Sequence, residues 1–141
     1  MSFIPNTIPE GITAQRIKVA RGTYDFAVDG GAIGTIALMG QTGIPSGATI
    51  LGGWLEVTTI AASGGAATIA LQVEGAGDLV AAIAFSAEPW LTAGRKSVIP
   101  AFTGATSIRT TAARDISVVI AAAALTGGKF DVVLLYLDPL A

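Results

Sequence analysis

The chain has 141 residues, no cysteine, no histidine and a formal net charge of −2, with 52% hydrophobic and only 13% charged residues. That length suits one domain whose core needs no disulfide or metal staple. The missing cysteines exclude disulfides and thiolate metal sites, and the missing histidines remove the usual general base near neutral pH and the commonest transition-metal ligand.

Residues 1 to 12, MSFIPNTIPEGI, hold two prolines and a glycine and alternate polar with large apolar side chains. Proline fixes φ and removes a donor, so the segment is expected to be an extended arm rather than a helix. Phe3, Ile4 and Ile8 are wasteful on a free tail. They point either to an arm lying back on its own domain or to one docking on a neighbouring subunit. Thr13 to Val19 alternates as a first strand, with Arg16 and Lys18 on one face and Ile17 and Val19 on the other. Arg21-Gly22 is expected to turn the chain into Thr23 to Val28, where Tyr24, Phe26 and Val28 share a face. Asp29-Gly30-Gly31 is a tight-turn signal, and Ala32 to Leu38 follows as a strand with Ile36 and Leu38 inward. Pro45 sits early in the turn Ile44-Pro45-Ser46-Gly47.

Ile44 to Glu74 carries the most regular pattern. Leu55, Val57 and Thr59 alternate with Trp54, Glu56, Thr58 and Ile60, and farther on Ile69, Leu71 and Val73 alternate with Thr68, Ala70, Gln72 and Glu74. With the small-residue loop Ala61 to Gly65 between them, the two strands are expected to pair as a hairpin. Leu79 to Phe85 is expected to be a strand. Pro89 excludes a central strand from Ser86 to Gly94, where Trp90 is expected to cap one end of the core. Lys96 to Ile99 is a short strand stopped by Pro100. Ser107 to Thr111 is another, with Ile108 and Thr110 sharing a face. Asp115 to Ala123 alternates Ile116, Val118 and Ile120 with Ser117, Val119 and Ala121, and Thr126-Gly127-Gly128 is expected to close a hairpin. The last strand, Phe130 to Leu137, is apolar on both faces. Such a strand is expected at a subunit contact or beneath a covering segment, which singles out Val133 and Leu135.

Eight to ten short strands, divided by glycine and proline turns and with no amphipathic helix of useful length, make this an all-β chain. The expected architecture is an antiparallel two-sheet β sandwich, jelly-roll-like, over residues 13 to 141. The apolar excess then needs a cause. The longest apolar run, Val118 to Leu125, is too short to span a membrane, and no basic region precedes an apolar stretch near the start, so neither a membrane span nor a secretory signal is expected. Burial of the outer surface against other protein copies explains it better.

The chemistry is sparse. Glu56 and Glu74 are a conceivable acid and base if the hairpin brings them together, and Asp25 with Asp29 is too small an oxygen set for a hard cation. Gly30-Gly31 and Gly52-Gly53 lack the lysine and helix of a phosphate loop. No basic run is longer than Arg95-Lys96, so there is no phosphate-neutralising patch and no nucleic-acid partner is expected. The chain is expected not to be an enzyme and to take no cofactor. Arg95, Lys96 and Arg114 suit rim electrostatics at a subunit contact, with turn solvation or exposed ion pairs as the plainer role. Together with Phe3, Ile4, Ile8, Val133 and Leu135 they are the candidate partner-binding residues.

In order and in residues, the run IPSGATILGGWLEVTTIAASGGAATIALQVEGAGDLVAAIAF, then LTAGRKSVIP, then SIRTTAARDISVVIAAAALTGGKFDVVLLYL resembles small virion proteins of tailed bacteriophages. These decorate or cement the capsid, and some form the bases of head fibres. The resemblance spans residues 32 to 137 and rests on structural motifs, so it carries over no catalytic residue. It implies a jelly-roll-like sandwich that forms a homotrimer on the outside of the head and clamps neighbouring copies of the major capsid protein. Such a protein is made in the host cytoplasm and ends on the virion surface, with a head fibre or spike as a further partner. The alternative on the same fold is a receptor- or carbohydrate-binding head-fibre or tail module.

Overall fold

The computed structural model describes residues 16–39, 43–97 and 106–139. Among the described residues, eight strands form two four-stranded antiparallel sheets: β1 (Ile17–Asp25), β2 (Gly34–Ala37), β3 (Thr49–Ser63), β4 (Thr68–Gln72), β5 (Val80–Ala84), β6 (Gly94–Ser97), β7 (Ser117–Ala121) and β8 (Leu125–Leu137). One sheet has the order β1-β8-β3-β6 and the other β2-β7-β4-β5. First strand beside last, second beside seventh, third beside sixth and fourth beside fifth is the pairing of a jelly roll, the expected architecture. Only β4 and β5 are consecutive strands that pair. Every other connection crosses from one sheet to the other.

That order corrects the hairpin expected between residues 44 and 74. β3 pairs with β8 and β6, whereas β4 pairs with β7 and β5, and Gly64–Ala67 carries the chain across the sandwich. The alternating faces hold: Leu55 and Val57 from one sheet and Ile69 and Leu71 from the other are buried in one core cluster. Two amphipathic strands satisfy their apolar faces equally well beside each other or across a core, so alternation alone does not choose between these. The closing hairpin is corrected likewise. Thr126-Gly127-Gly128 lies within β8, and Gly128 takes a positive φ of 134° where β3 and β8 slip register around Thr59 to Ser63.

At the amino-terminal end, β1 runs unbroken through Arg21-Gly22, paired with β8 from Ile17↔Leu137 to Asp25↔Lys129. Gly22 makes no turn; a Cβ there would stand 2.8 Å from the Leu38 Cβ, so the residue serves a close approach. Phe26–Asp29 forms a single helical turn, α1, rather than a second strand, with the Asp25 carboxylate accepting from the Ala27 N–H at 3.0 Å. β6 lies at Gly94–Ser97, slightly before its expected place. The segment around Ile108 to Thr110 is tied to the start of β3 by single bridges and backbone bonds rather than forming a strand of its own.

The core sits between the sheets. Tyr24 stacks on Phe130 with centroids 5.1 Å apart, and Trp90 packs against the same Phe130 at 5.0 Å, closing one end of the sandwich as expected. The Tyr24 hydroxyl donates to the Gly30 carbonyl at 2.7 Å. Its burial, with Asp29 and Asp25 nearby, pushes the phenol up to about 12, so it remains a neutral donor. Thr110, the buried polar residue among those described, donates to the Pro45 carbonyl at 2.6 Å and accepts from the Ala48 N–H at 2.9 Å.

Candidate functional site

The two sheets present different outer faces. On the β2-β7-β4-β5 sheet the outward residues are mostly small or polar, including Thr35, Ala37, Ser117, Thr68 and Gln72, with Val119 beside Ala70 as an apolar exception. The β1-β8-β3-β6 sheet is the opposite. From β1 across β8 to β3 its outward rows read Ile17–Leu137–Thr49, Val19–Leu135–Gly52, Arg21–Val133–Trp54 and Thr23–Asp131–Glu56. Beyond β3, Arg95 stands opposite Glu56 and Arg109 opposite Thr49. Ile17 is 64% exposed and Val19 58% exposed. β3 bulges between Ile50 and Gly52, which leaves Leu51 partly exposed. Exposed apolar side chains gathered on one open sheet face are of the kind that proteins use for contacts.

Of the residues the sequence singled out, Phe3, Ile4 and Ile8 lie outside the described residues. Val133 and Leu135 are both on this outer face. Val133, on the central strand between Arg21 and Trp54, is only 3% exposed, whereas Leu135 is half-buried beside Val19. Arg95 borders the face: its guanidinium lies 5.2 Å from the centre of the Trp54 ring and 3.5 Å from the Glu56 carboxylate. An exposed pair of this length contributes little to stability. Lys96 is turned the other way. Its ammonium bonds the Thr92 carbonyl and hydroxyl and stands 3.5 Å from Glu88, so it secures the turn before β6.

Arg114 is engaged inside the molecule. Its Nε donates to Glu74 Oε1 at 2.8 Å and its Nη2 to Glu74 Oε2 at 3.0 Å, a bidentate fork. Thr111 adds its backbone N–H at 3.0 Å and its hydroxyl at 2.8 Å to the same carboxylate. The Arg114 backbone meanwhile exchanges bonds with Ile44. The cluster fastens the end of β4 to the loop before β7. The Arg114 fork, then the Thr111 bonds, hold the Glu74 carboxyl down at about 2, against an ordinary value near 4.5. A lowered folded-state value means that this contribution is complete above about pH 4.5 and is lost as pH falls through about 2. Melting curves of wild type and Glu74→Gln are therefore expected to differ by a constant amount above pH 4.5 and to converge towards pH 2. A difference that persists unchanged at pH 2 discards the carboxylate clamp.

Glu56 and Glu74 do not meet: one is on the outer face with Arg95, the other is held by Arg114 and Thr111. Asp25 caps α1 and stands 3.8 Å from Lys129, and Asp29 accepts from the Asp25 N–H at 2.9 Å, so both serve the local turn. Among the described residues no group of three or more carboxylates is placed to hold a metal ion. Sequence reasoning passed over Ile17, Val19, Trp54, Arg21 and Arg109 as members of one surface. The faces of β1 and β3 were legible, but β1 beside β8 beside β3 joins residues more than a hundred positions apart.

No family model and no curated protein sequence matches the chain. Its fold is shared with solved structures. One is a chain in the acidic stable capsid structure of Helicobacter pylori bacteriophage KHP30, with a TM-score of 0.58, 14% sequence identity, and coverage of 89% of this chain and 94% of that one. Another is a chain in the capsid asymmetric unit of cyanophage Pam1, with a TM-score of 0.57, 19% identity, and coverage of 94% and 92%.

Proposed function

We propose that this chain is a structural protein of a bacteriophage virion: a decoration or cement protein that binds the outside of the head as a homotrimer and stabilises the joints between shell subunits. The observation that carries the reading is the fold likeness to chains of two phage capsid structures, which runs nearly end to end in both directions. What is shared is the whole sandwich rather than a part of it. The outward apolar face supports the same reading, since a protein that holds a shell together works by removing apolar surface from water across joints. Such burial contributes about 25 cal/mol per Å² before the costs of association are subtracted. A trimer that grips several shell subunits at once gains avidity, and by binding the assembled state alone it shifts assembly towards the intact shell. No catalytic step is part of this function.

The test is direct. Light scattering on the purified protein is expected to give the mass of three chains. The protein is expected to co-sediment with empty shells assembled from the shell protein of the same phage and to raise the temperature at which they come apart. A monomer that stays in the supernatant and leaves shell melting unchanged discards the proposal.

A further inference from the structure

We propose that the outer face of the β1-β8-β3-β6 sheet is the surface that meets the head shell, and that the shell surface opposite it carries carboxylates. This deepens the preceding reading and rests on it. Ile17, Val19, Leu135 and Trp54 turn outward on this sheet, while the other sheet shows mostly small or polar residues with Val119 beside Ala70. Of the eight cations in the chain, Lys18, Arg95, Lys96, Arg114 and Lys129 each have a carboxylate within 4 Å. The other three, Arg16, Arg21 and Arg109, are exposed and have no such partner among the described residues. Two of the three are on this face. Arg21 stands in the row of Val133 and Trp54 and Arg109 beside Thr49, whereas Arg16 precedes β1 and falls on the Lys18 side of its alternation. Arg109 also lines an open groove of about 400 Å³ with Ser46, Thr49 and Leu137, where the one carboxylate, Asp138, is held by Lys18 at 3.1 Å.

The carboxylates decide what covers this face. Asp25, Glu56, Glu74, Glu88 and Asp138 are in ion pairs. Asp78 accepts three backbone N–H groups, Asp29 one, and Asp131 the Thr23 hydroxyl at 2.6 Å. Asp29, Asp78, Asp115 and Asp131 therefore keep their charge with no cation within 4 Å among the described residues, but of these only Asp131 is in the rows of this face. Face-to-face pairing of two copies would thus offer one unpaired carboxylate to the two unpaired arginines of each copy. Nucleic acid fits poorly as well, because the centre is apolar and the far end of the face carries Asp131 and Glu56. A protein surface with apolar ground and carboxylates at the arginine positions satisfies both the apolar rows and the arginines.

The experiment compares the full-length wild type with the double variant Arg21→Glu/Arg109→Glu in co-sedimentation with the same empty shells. The double variant is expected to keep its melting temperature and its oligomeric mass while its affinity falls about tenfold or more, because like charges then face each other across the contact. Arg21→Lys/Arg109→Lys is expected to retain most of the binding. Equal binding by wild type and the Glu variant overturns this inference and leaves the decoration role standing. Dissociation of the oligomer in the Glu variant overturns it too, by showing that the face is covered by other copies. Failure of the wild type itself to co-sediment overturns the decoration role and this assignment with it.

Discussion

Replacing Trp90 by alanine is expected to destabilise the fold by about 3–5 kcal/mol, the usual cost of truncating a fully buried large aromatic. In a chain of this size that lowers the melting temperature by roughly 10 to 20 °C. Trp90 is wholly buried and packs its ring against Phe130, which in turn stacks on Tyr24. Its removal therefore opens a cavity at the end of a three-ring stack whose other members are held by β1 and β8. The indole also explains why a smaller change is tolerated. Its Nε1–H is buried without a hydrogen-bond partner among the described residues, so phenylalanine removes an unsatisfied donor while keeping most of the contact. Trp90→Phe is expected to lie within about 1.5 kcal/mol of wild type. Chemical denaturation of the three proteins checks this order. Equal stability of Trp90→Ala and wild type shows that the stack does not close the core.

Gly53→Ala is expected to cost about 3 kcal/mol, at the upper end for overpacking. A Cβ at Gly53 would lie 2.1 Å from the Val133 carbonyl oxygen and 2.8 Å from a Leu134 methyl. The obstacle is backbone of the neighbouring strand, which cannot step aside as a side chain does. β3 and β8 would have to separate at Gly53↔Leu134, in the middle of the longest strand pair of the sandwich. Gly64→Ala is the control: a Cβ there meets nothing within 4 Å, and the exposed crossover between the sheets accepts it with little change. If both variants melt together with wild type, the close approach of β3 and β8 at Gly53 is not a constraint.

The outer face illustrates how far function on a sandwich depends on remote pairing. Val133 and Leu135 drew notice because β8 is apolar on both sides, and they do stand outward on its central stretch. The residues that turn this strip into a charged and apolar surface come from elsewhere: Val19 and Arg21 from β1, Trp54 from β3, and Arg109 from the segment beside β3. The converse holds for Arg114. As a lone arginine in a turn it suited a subunit rim, but Glu74, forty residues earlier, closes a bidentate fork on it.

From the order of residues alone came the all-β class, the two-sheet sandwich, the inward face of Ile36 with Leu38, and the grouping of Ile116, Val118 and Ile120 on one face of their strand. These follow from alternation, which a strand carries within itself whatever lies beside it. Tertiary structure alone decided that β3 and β4 lie in different sheets, that β1 continues through Arg21-Gly22, and which arginines are left without a carboxylate. Backbone donors and acceptors are the same on every strand, and a charge is satisfied by whatever the fold brings near. Partner choice is therefore settled only when the whole chain packs around one core.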